Sequence, residues 1–431
     1  YLIMLVQFTI KNFKCFKEES TFSLIASNHD KTRVEGNTFL VEKFGLKLLK
    51  SAVVYGANAS GKTKLIEALA FLRYFIHDSF KETQVDEPIR VDSFRLSSET
   101  EEEPSLFEII FVYDEQMYRY GFEVDRKKVH SEWLYQNSTS KEQELFYRDF
   151  QDFTINEKKL KVADLIANDR IRPNALLLSV AANWNDKTAK KILDWFNTFH
   201  IISGLRQEGY EGYSMERIRD DKNNKEAVIS LLKNADLGIE DLDIQTLDLE
   251  NLPTDFPKEL KKLLAKNVQE ENDAEIFSGV STYHKKFDVN LNVKELVEFS
   301  MDNDESSGTK KYFAISGPIL ETLKNGDILM VDELANKLHP NLTEKLLEIF
   351  NSKEKNPKNA QLIFNTHDTN FLNSGIFRRD QIWFTEKDRY GASKIFSLSD
   401  FKTDVVRKED NFEKNYIKGK YGAVPYLGDF D

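Results

Sequence analysis

The sequence predicts an α/β fold in which a sheet is built from both ends of the chain, with a mostly helical region between them. An apolar run at 48–55 leads into a glycine-containing loop and then a helical pattern, and two later apolar runs, at 326–333 and 360–367, end in polar residues. Such short runs are typical of parallel strands buried on both faces. From about 136 to 275, charged stretches with helical periodicity dominate.

Each part of the chain fits this class. At the N-terminus, 4–10 and 19–26 are predicted to be strands, and 106–113 with 117–124 alternate like the two arms of a hairpin. The helix after the loop is predicted from apolar residues that recur at helical spacing: Leu65, Ile66, Ala68, Leu69, Leu72 and Phe75.

Three segments follow from these patterns. Residues 1–135 form the first part of the sheet-bearing domain, and residues 276–431 form its second part. Residues 136–275 are predicted to be a mostly helical insertion, with no heptad pattern long enough for a coiled-coil arm.

Composition narrows the function classes. The chain has 431 residues, enough for two or three domains, and its formal net charge is −12, which argues against a generally basic nucleic-acid coat but leaves a local basic groove open. The single cysteine excludes a disulfide framework and a multi-cysteine zinc cluster. There is no apolar run of about eighteen residues, so we expect no membrane span and a cytoplasmic protein.

The loop at 56–63, Gly-Ala-Asn-Ala-Ser-Gly-Lys-Thr, has the spacing G-x-x-x-x-G-K-[ST] of a phosphate-binding loop. Its backbone N–H groups and the positive end of the following helix favour an anion. We assign Asn58, Gly61, Lys62 and Thr63 to nucleotide binding. Lys62 would reach the β and γ phosphates, and the Thr63 hydroxyl would bind Mg²⁺.

Two later strand ends carry side chains suited to phosphoryl transfer. Asp332 and Glu333 follow the run Ile-Leu-Met-Val, so one carboxylate can hold Mg²⁺ while the next orients an attacking water. His367 ends the next apolar run and could contact the γ-phosphate or that water. We therefore predict Thr63 and Asp332 as metal ligands and Glu333 and His367 as catalytic residues.

A fourth element is the stretch Glu305–Ile315. Ser306, Gly308 and their neighbours precede a helical pattern, and small hydroxyl residues at a helix start can bind an anion. A plain helix cap explains the same residues equally well.

In this order, the four elements resemble ABC-type AAA-family ATPases of the SMC/RecF/OLD branch, and more narrowly the stand-alone ATPases of phage-defence operons, such as RloA-type and PARIS AriA-like proteins. The stretches that carry the resemblance are IKNFKCF (10–16), YGANASGKT (55–63), ESSGTKKYF (305–313), VDELANKLHP (331–340), NTHD (365–368) and KGKYGAVPYLGDF (418–430).

The resemblance implies an ABC-type ATPase head that binds ATP and Mg²⁺ and hydrolyses ATP. Ser306 and Gly308 would form a signature that completes the ATP site of a second subunit, with residues 336–339 in the loop crossing that interface. It further implies a homodimer or higher homo-oligomer that acts as sensor and scaffold for a separately encoded effector, such as a Toprim-type nuclease.

Two departures from the family pattern bear on this interpretation. Relatives commonly carry an acidic residue where this chain has Ala335, so hydrolysis could be slow or differently coupled. The glutamine that usually helps to bind Mg²⁺ has no clear counterpart, because Gln116 and Gln151 are both poor matches.

Other functions stay open. A nuclease built into the chain is not expected, because only 64 residues follow His367. A DNA-repair clamp of the RecF or SMC kind is the main alternative, with nucleic-acid binding through lysines at 11, 14, 17, 414, 418 and 420. A module whose nucleotide is purely structural is disfavoured by Glu333.

Overall fold

The computed structural model describes residues 2–80, 87–138, 141–205, 208–247, 257, 276–402, 406 and 410–425. Most of the predicted insertion beyond residue 247 and the last part of the tail motif, 426–430, lie outside the described residues. No helix within the described ranges is long and apolar enough to cross a bilayer.

The strands that the structure describes are β1 (Ile3–Lys11), β2 (Ser20–Ser23), β3 (Thr38–Val41), β4 (Leu46–Leu49), β5 (Ser51–Gly56), β6 (Ser105–Tyr113), β7 (Gln116–Val124), β8 (Val129–Asn137), β9 (Glu142–Asp149), β10 (Asp152–Ile155), β11 (Phe199–Ser203), β12 (Ile239–Leu247), β13 (Ile276–Phe287), β14 (Val293–Ser300), β15 (Ile328–Asp332), β16 (Gln361–Asn365), β17 (Ile382–Lys387) and β18 (Ser393–Ser397).

The α-helices are α1 (Val34–Asn37), α2 (Lys62–Asp78), α3 (Ala163–Ala167), α4 (Leu177–Asn183), α5 (Lys187–Asn197), α6 (Glu208–Asp220), α7 (Lys222–Asn234), α8 (Ser307–Asn325), α9 (Pro340–Phe350) and α10 (Phe412–Ile417). The predicted helix after the loop is therefore α2.

A six-stranded sheet, in the order β11-β15-β16-β5-β17-β18, confirms the predicted α/β class and its assembly from both chain ends. Strand β5 lies between β16 and β17 and is parallel to both. The predicted strand 48–55 is two strands, because the chain breaks at Lys50: β4 pairs with β3, whereas β5 enters the parallel sheet. Lys50 itself is buried, and burial lowers its pKa to about 8.

A second sheet of seven strands, in the order β10-β9-β8-β7-β6-β1-β2, covers the other side of α2. The predicted hairpin is β6 and β7, which turn through Asp114 and Glu115 at positive φ, 48° and 59°. Phe75 of α2 contacts Phe122 of this sheet at a ring-centroid distance of 5.5 Å. Each fully buried apolar side chain of this kind stabilises the fold by about 1.5–3 kcal/mol.

The chain divides into two compact units. The first unit comprises 1–203, 322–336 and 343–431 and contains both large sheets. The second comprises 204–321 and 337–342, and it contains α6, α7 and the antiparallel sheet β12-β13-β14.

The predicted helical insertion, in its described part, contains strands as well as helices. Strands β9 and β10 extend the seven-stranded sheet, and β12 opens the small sheet of the second unit. The prediction missed β9 because the exposed side of that strand carries charged residues. In the sequence these charges resemble the polar face of a helix.

Candidate functional site

The loop between β5 and α2 is held in its curved form by two glycines. A Cβ atom at Gly56 would lie 2.5 Å from the Thr385 carbonyl oxygen, a clash that no ordinary side chain avoids. Gly61 has φ of 115°, in a region that favours glycine, and begins the helix. Leu65 makes the helical hydrogen bond to the Gly61 carbonyl, so the N–H groups of residues 62–64 precede the first helical bond and remain for an anion.

Lys62 is folded back into this loop. Its Nζ donates to the Gly56 and Ala57 carbonyl oxygens at 2.8 and 3.0 Å. Burial lowers the pKa of Lys62 to about 8, although the carboxylates of Glu333 and Asp332 favour the charged form. A phosphate group inside the loop would stabilise this ammonium further, because an opposite charge in a water-poor site interacts strongly.

Thr63 and Asp332 lie side by side, as a magnesium site of the P-loop kind requires. The Thr63 hydroxyl donates to Asp332 Oδ1 at 3.0 Å. No group of three or more histidine, cysteine, aspartate or glutamate residues suited to a metal occurs in the part of the chain that is described. Mg²⁺ in a P-loop does not need one, since nucleotide oxygens and water complete its octahedral shell. The two oxygen donors therefore fit Mg²⁺.

Asn365, at the end of β16, joins the two carboxylate residues. Its Nδ2 donates to Asp332 Oδ1 at 2.6 Å, and its Oδ1 accepts from the Glu333 N–H at 2.7 Å. Glu333 has φ of 59°, an uncommon conformation for a non-glycine residue. The buried amide thus fixes a strained turn that aims the Glu333 side chain. The sequence prediction missed Asn365, whose only signal was an amide at the end of a buried strand.

His367 faces Glu333. Its Nε2 lies 3.3 Å from Glu333 Oε1, and the imidazole is half exposed. Burial and, second, the charge of Lys62 lower the pKa of His367, while Asp332 opposes them. The ring is therefore neutral at neutral pH and can donate one hydrogen bond and accept another. Lys62, Thr63, Asp332, Glu333 and His367 are thus gathered in one place.

The loop also borders a cavity of about 1020 Å³, within the first compact unit. Asn58 lines this cavity together with His367. Its other walls come from the end of β17, from the turn after β17 and from the C-terminal segment, defined here as residues 412–425.

Ser306 and Gly308 lie in the second unit, at the start of the nineteen-residue helix α8. Ser306 Oγ accepts from the Thr309 N–H at 3.1 Å, so the residue is a helix N-cap. A Cβ atom on Gly308 would lie 2.9 Å from the Lys337 carbonyl oxygen, in the loop predicted to cross an interface. A signature role for these residues stays a prediction.

The two glutamines considered for magnesium are engaged in the seven-stranded sheet region. Gln116 accepts from Gln136 at 3.1 Å, and Gln151 accepts from the Arg148 guanidinium at 2.8 Å. Neither lines the cavity beside the loop.

One known protein family matches most of this chain. The model of one protein family, described as "AAA domain, putative AbiEii toxin, Type IV TA system", matches residues 51–373, about three quarters of the chain. No curated protein matches the sequence significantly.

Several solved structures are similar in fold. The SMC head domain from Thermotoga maritima is 11% identical, with 91% of this chain and 98% of that chain covered and a TM-score of 0.42. The Smc head domain of Pyrococcus furiosus, bound to the C-terminal domain of ScpA, is 12% identical, with 91% and 96% covered and a TM-score of 0.37. The structure of cbiO1 from Clostridium perfringens, part of the ABC transporter complex cbiONQ, is 11% identical, with 90% of this chain and 96% of that chain covered and a TM-score of 0.28.

Proposed function

This chain belongs to the AAA-domain family whose model matches residues 51–373, and from that premise we propose that it binds ATP with Mg²⁺ and hydrolyses it. The observation that carries the proposal is the connected set formed by Thr63, Asp332, Asn365 and Glu333. The Thr63 hydroxyl and the Asn365 amide both donate to Asp332 Oδ1, and the same amide accepts from the backbone N–H of Glu333, the residue whose carboxylate would activate water.

Each side chain has a role in this reaction. Lys62 neutralises phosphate charge, and Thr63 with Asp332 holds Mg²⁺, which supplies charge neutralisation at the phosphate oxygens when it is bound. Glu333 orients the attacking water and accepts its proton. The imidazole of His367, whose Nε2 lies 3.3 Å from Glu333 Oε1, would help to position the same water.

Ala335 bears on the proposed rate of ATP hydrolysis. It is nearly buried and follows the strained Glu333 turn by two residues, at a place where related ATPases carry an acidic group. Without that charge, we propose that hydrolysis is slow and that the ATP-bound state persists.

We further propose that two copies share their ATP sites. Ser306 is exposed at the N-terminus of a long helix, which offers partial positive charge to an anion. A signature of this kind on one subunit would meet the γ-phosphate held by Lys62 of the other. ATP would then hold the dimer together, and hydrolysis would remove the contact.

The finer biological role is that of a sensor and scaffold in bacterial anti-phage defence, controlling a separately encoded effector such as a Toprim-type nuclease. The family description names a putative toxin of a type IV TA system, and we propose the sensor role as an extension of it.

The alternative is a RecF- or SMC-like DNA-repair ATPase. It requires a basic surface, yet several of the candidate lysines are already paired with acids. Lys14 pairs with Glu67, Lys17 lies 3.9 Å from Glu99, and Lys420 lies 3.0 Å from Asp410. This pairing favours the sensor role over the repair role.

The test is phosphate release by the purified protein and by Glu333→Gln, with and without DNA. We expect DNA-independent hydrolysis that falls by about 100-fold to 10,000-fold in Glu333→Gln, because the proton acceptor is lost. Gel filtration with ATP should show a more persistent oligomer for this variant.

Glu348→Gln is the matched control, because Glu348 is an exposed surface carboxylate whose ion pair, within the described residues, is with the neighbouring Lys345 at 2.8 Å. Its activity should equal that of the wild type. Unchanged hydrolysis in Glu333→Gln would contradict the assignment of the base, and hydrolysis that requires DNA would favour the repair alternative.

A further inference from the structure

The hairpin of β13 and β14, in the second compact unit, carries apolar side chains that are open to water. Six of them are 40–98% exposed: Phe287, Val289, Leu291, Val293, Leu296 and Phe299. Single exposed apolar residues are ordinary on a protein surface, whereas a contiguous patch of them indicates a surface that a partner covers. The hairpin therefore offers an interaction surface.

Strand β14 is also an open edge of its sheet. The sheet order is β12-β13-β14, so within the described residues β14 is paired on one side alone. In an antiparallel pair, alternate residues turn their N–H and C=O groups to the open side. The Ser300 N–H is one of these, and the Asp304 carboxylate accepts it at 2.7 Å. Glu298 and Leu296, the alternate residues before it, turn their backbone groups to the same side, where another strand can pair with them.

The edge is held in a fixed form by contacts behind it. Glu305 Oε1 accepts from the Thr282 hydroxyl at 2.7 Å and lies 2.7 Å from His284 Nε2. The His284 ring packs against the Phe299 ring, with 4.7 Å between the centroids. Because β14 is already ordered on β13, a partner strand does not have to meet the entropy cost of ordering it.

Two charges on β14 are left for a partner. Lys286 of β13 pairs with Glu295 at 2.8 Å, whereas Lys294 has no ion-pair partner among the described residues. Glu298 accepts from the Ser281 hydroxyl at 2.5 Å, and in the described part of the chain it pairs with no cation. A strand that brings an acid to Lys294 and a base to Glu298 would therefore be complementary to this edge.

A second copy of β14 has this complementarity. In an antiparallel pair with a two-fold axis at Leu296, that residue meets its own copy and Lys294 meets Glu298 twice. Lys294 lies in a bulge, because the pairing to β13 passes from Glu295 to Val293, but its long side chain can meet a carboxylate from there.

The alternative registers fit less well. With the axis at Leu296, Glu295 lies opposite Val297, so no like charges face each other directly. An axis between Leu296 and Val297 would instead place Glu295 opposite Glu298, and like charges in that position destabilise a strand pair. The charge pattern thus selects one register.

We propose that two copies of this chain pair their β14 strands about a two-fold axis at Leu296, which joins two three-stranded sheets into one. Each copy gives the same strand, so the interface closes at two copies. The bulge at Lys294 and the Asp304 carboxylate on the Ser300 N–H end the pairing on both sides. No residue of the phosphate-binding loop takes part, so this interface does not depend on the proposed ATPase.

Sedimentation velocity of the full chain without nucleotide, over about 1–100 μM, measures the pairing, and we expect a dimer within this range. Leu296→Lys places two like charges opposite each other at the axis and should raise the dissociation constant at least about tenfold. Leu296 is half exposed in a single copy, so the lysine leaves folding unchanged.

Leu40→Lys is the matched control. Leu40 has the same 50% exposure as Leu296, but it lies on β3 in the first compact unit. This variant should form the dimer like the wild type, because it adds the same charge outside the proposed interface.

Charge reversal tests the register. Lys294→Glu and Glu298→Lys each place like charges opposite each other, and each should weaken the dimer at least about threefold. The double variant restores opposite charges and should dimerise within about twofold of the wild type. Changes that acted only by disturbing the hairpin would add in the double variant instead of cancelling.

The outcomes separate this interface from the proposed function. A wild type that stays monomeric at about 100 μM overturns the proposal and leaves the edge to a different chain. A dimer that Leu296→Lys leaves intact, or that both lysine variants weaken equally, also overturns it. A double variant no better than the single ones overturns the axis at Leu296. A failure of ATP binding or hydrolysis would change none of these results, because no nucleotide is present.

Discussion

Lys62 is enclosed by the loop that it serves, so its charge depends on pH in an accessible range. The pKa of about 8 in the free protein lies below the ordinary lysine value of 10.5 because the ammonium is buried. A bound triphosphate stabilises the charged form and raises that pKa again. Between these two values, binding of ATP must therefore take up a proton.

We predict that ATP affinity is highest below pH 8 and falls, by at most about tenfold per pH unit, as the pH rises from 8 toward 10. Calorimetry at pH 7, 8 and 9, in buffers of different ionisation enthalpy, measures the affinity and the proton uptake together. Lys62→Ala should bind more weakly at every pH, without this dependence. A constant wild-type affinity with no proton uptake would show that the Lys62 charge does not titrate.

Asn365 shows what the sequence conveys at the scale of one residue. The loop spacing and the apolar runs were enough to predict Lys62, Thr63, Asp332 and Glu333 as neighbours, because parallel strands end at one edge of a sheet. The amide between the two acidic residues could not be predicted. The role of the Asn365 amide depends on the turn at Glu333, which has a positive φ, and a single sequence does not reveal that conformation.

At the scale of elements, helix α4 begins on a buried carboxylate. Glu132 of β8 is fully buried, and it accepts from the Leu177 and Leu178 N–H groups at 2.6 and 3.0 Å. The Arg148 guanidinium, also fully buried, lies 3.6 Å away. Burial raises the pKa of Glu132, while Arg148 and the two N–H groups oppose the shift. The Glu132 carboxylate on the sheet thus accepts hydrogen bonds from N–H groups at the start of α4.

We predict that Glu132→Ala destabilises the protein by about 3–5 kcal/mol, because it leaves the buried Arg148 charge without its counter-charge and the helix N–H groups without their acceptor. Glu142→Ala is the matched control: it removes an exposed carboxylate that pairs with Arg119 at 2.7 Å, and it should cost less than about 1 kcal/mol. Thermal unfolding followed by circular dichroism compares the two. Equal losses of stability would mean that the buried carboxylate contributes no more than the exposed one.

The same elements explain where the sequence prediction stopped. The hairpin β6–β7 and the strands β15 and β16 were predicted because their apolar residues follow a clear period. Strand β8 was missed because Glu132, the residue that would mark a polar face, is in fact buried. The wall formed by the C-terminal segment was missed for another reason: Tyr416 and Gly56 are distant in sequence, and no local pattern links them.

At the scale of the whole molecule, the proposed shared sites predict complementation between two inactive variants. Lys62→Ala removes the phosphate-binding lysine, and Ser306→Arg places a bulky cation at the exposed start of α8. Each variant alone should be inactive. A mixed dimer pairs one intact loop with one intact signature, so random mixing should restore about a quarter of the wild-type ATPase sites.

Phosphate release from equal mixtures, against each variant alone, measures this recovery. A mixture of Lys62→Ala with Glu333→Gln is the control and should stay inactive, because each change disables the same half of the site. Activity in Ser306→Arg alone would show that each subunit hydrolyses ATP without a signature from its partner.

The place of β5 between β16 and β17 has a consequence for synthesis on the ribosome. The strand that carries the loop emerges early, but both of its neighbours are encoded after residue 360. At a translation rate of about 5–20 residues per second, the unfinished strand waits roughly 15–60 seconds for its partners. During that interval its apolar edges are open to chaperones, and a polypeptide whose translation stops before β17 never acquires a complete catalytic sheet.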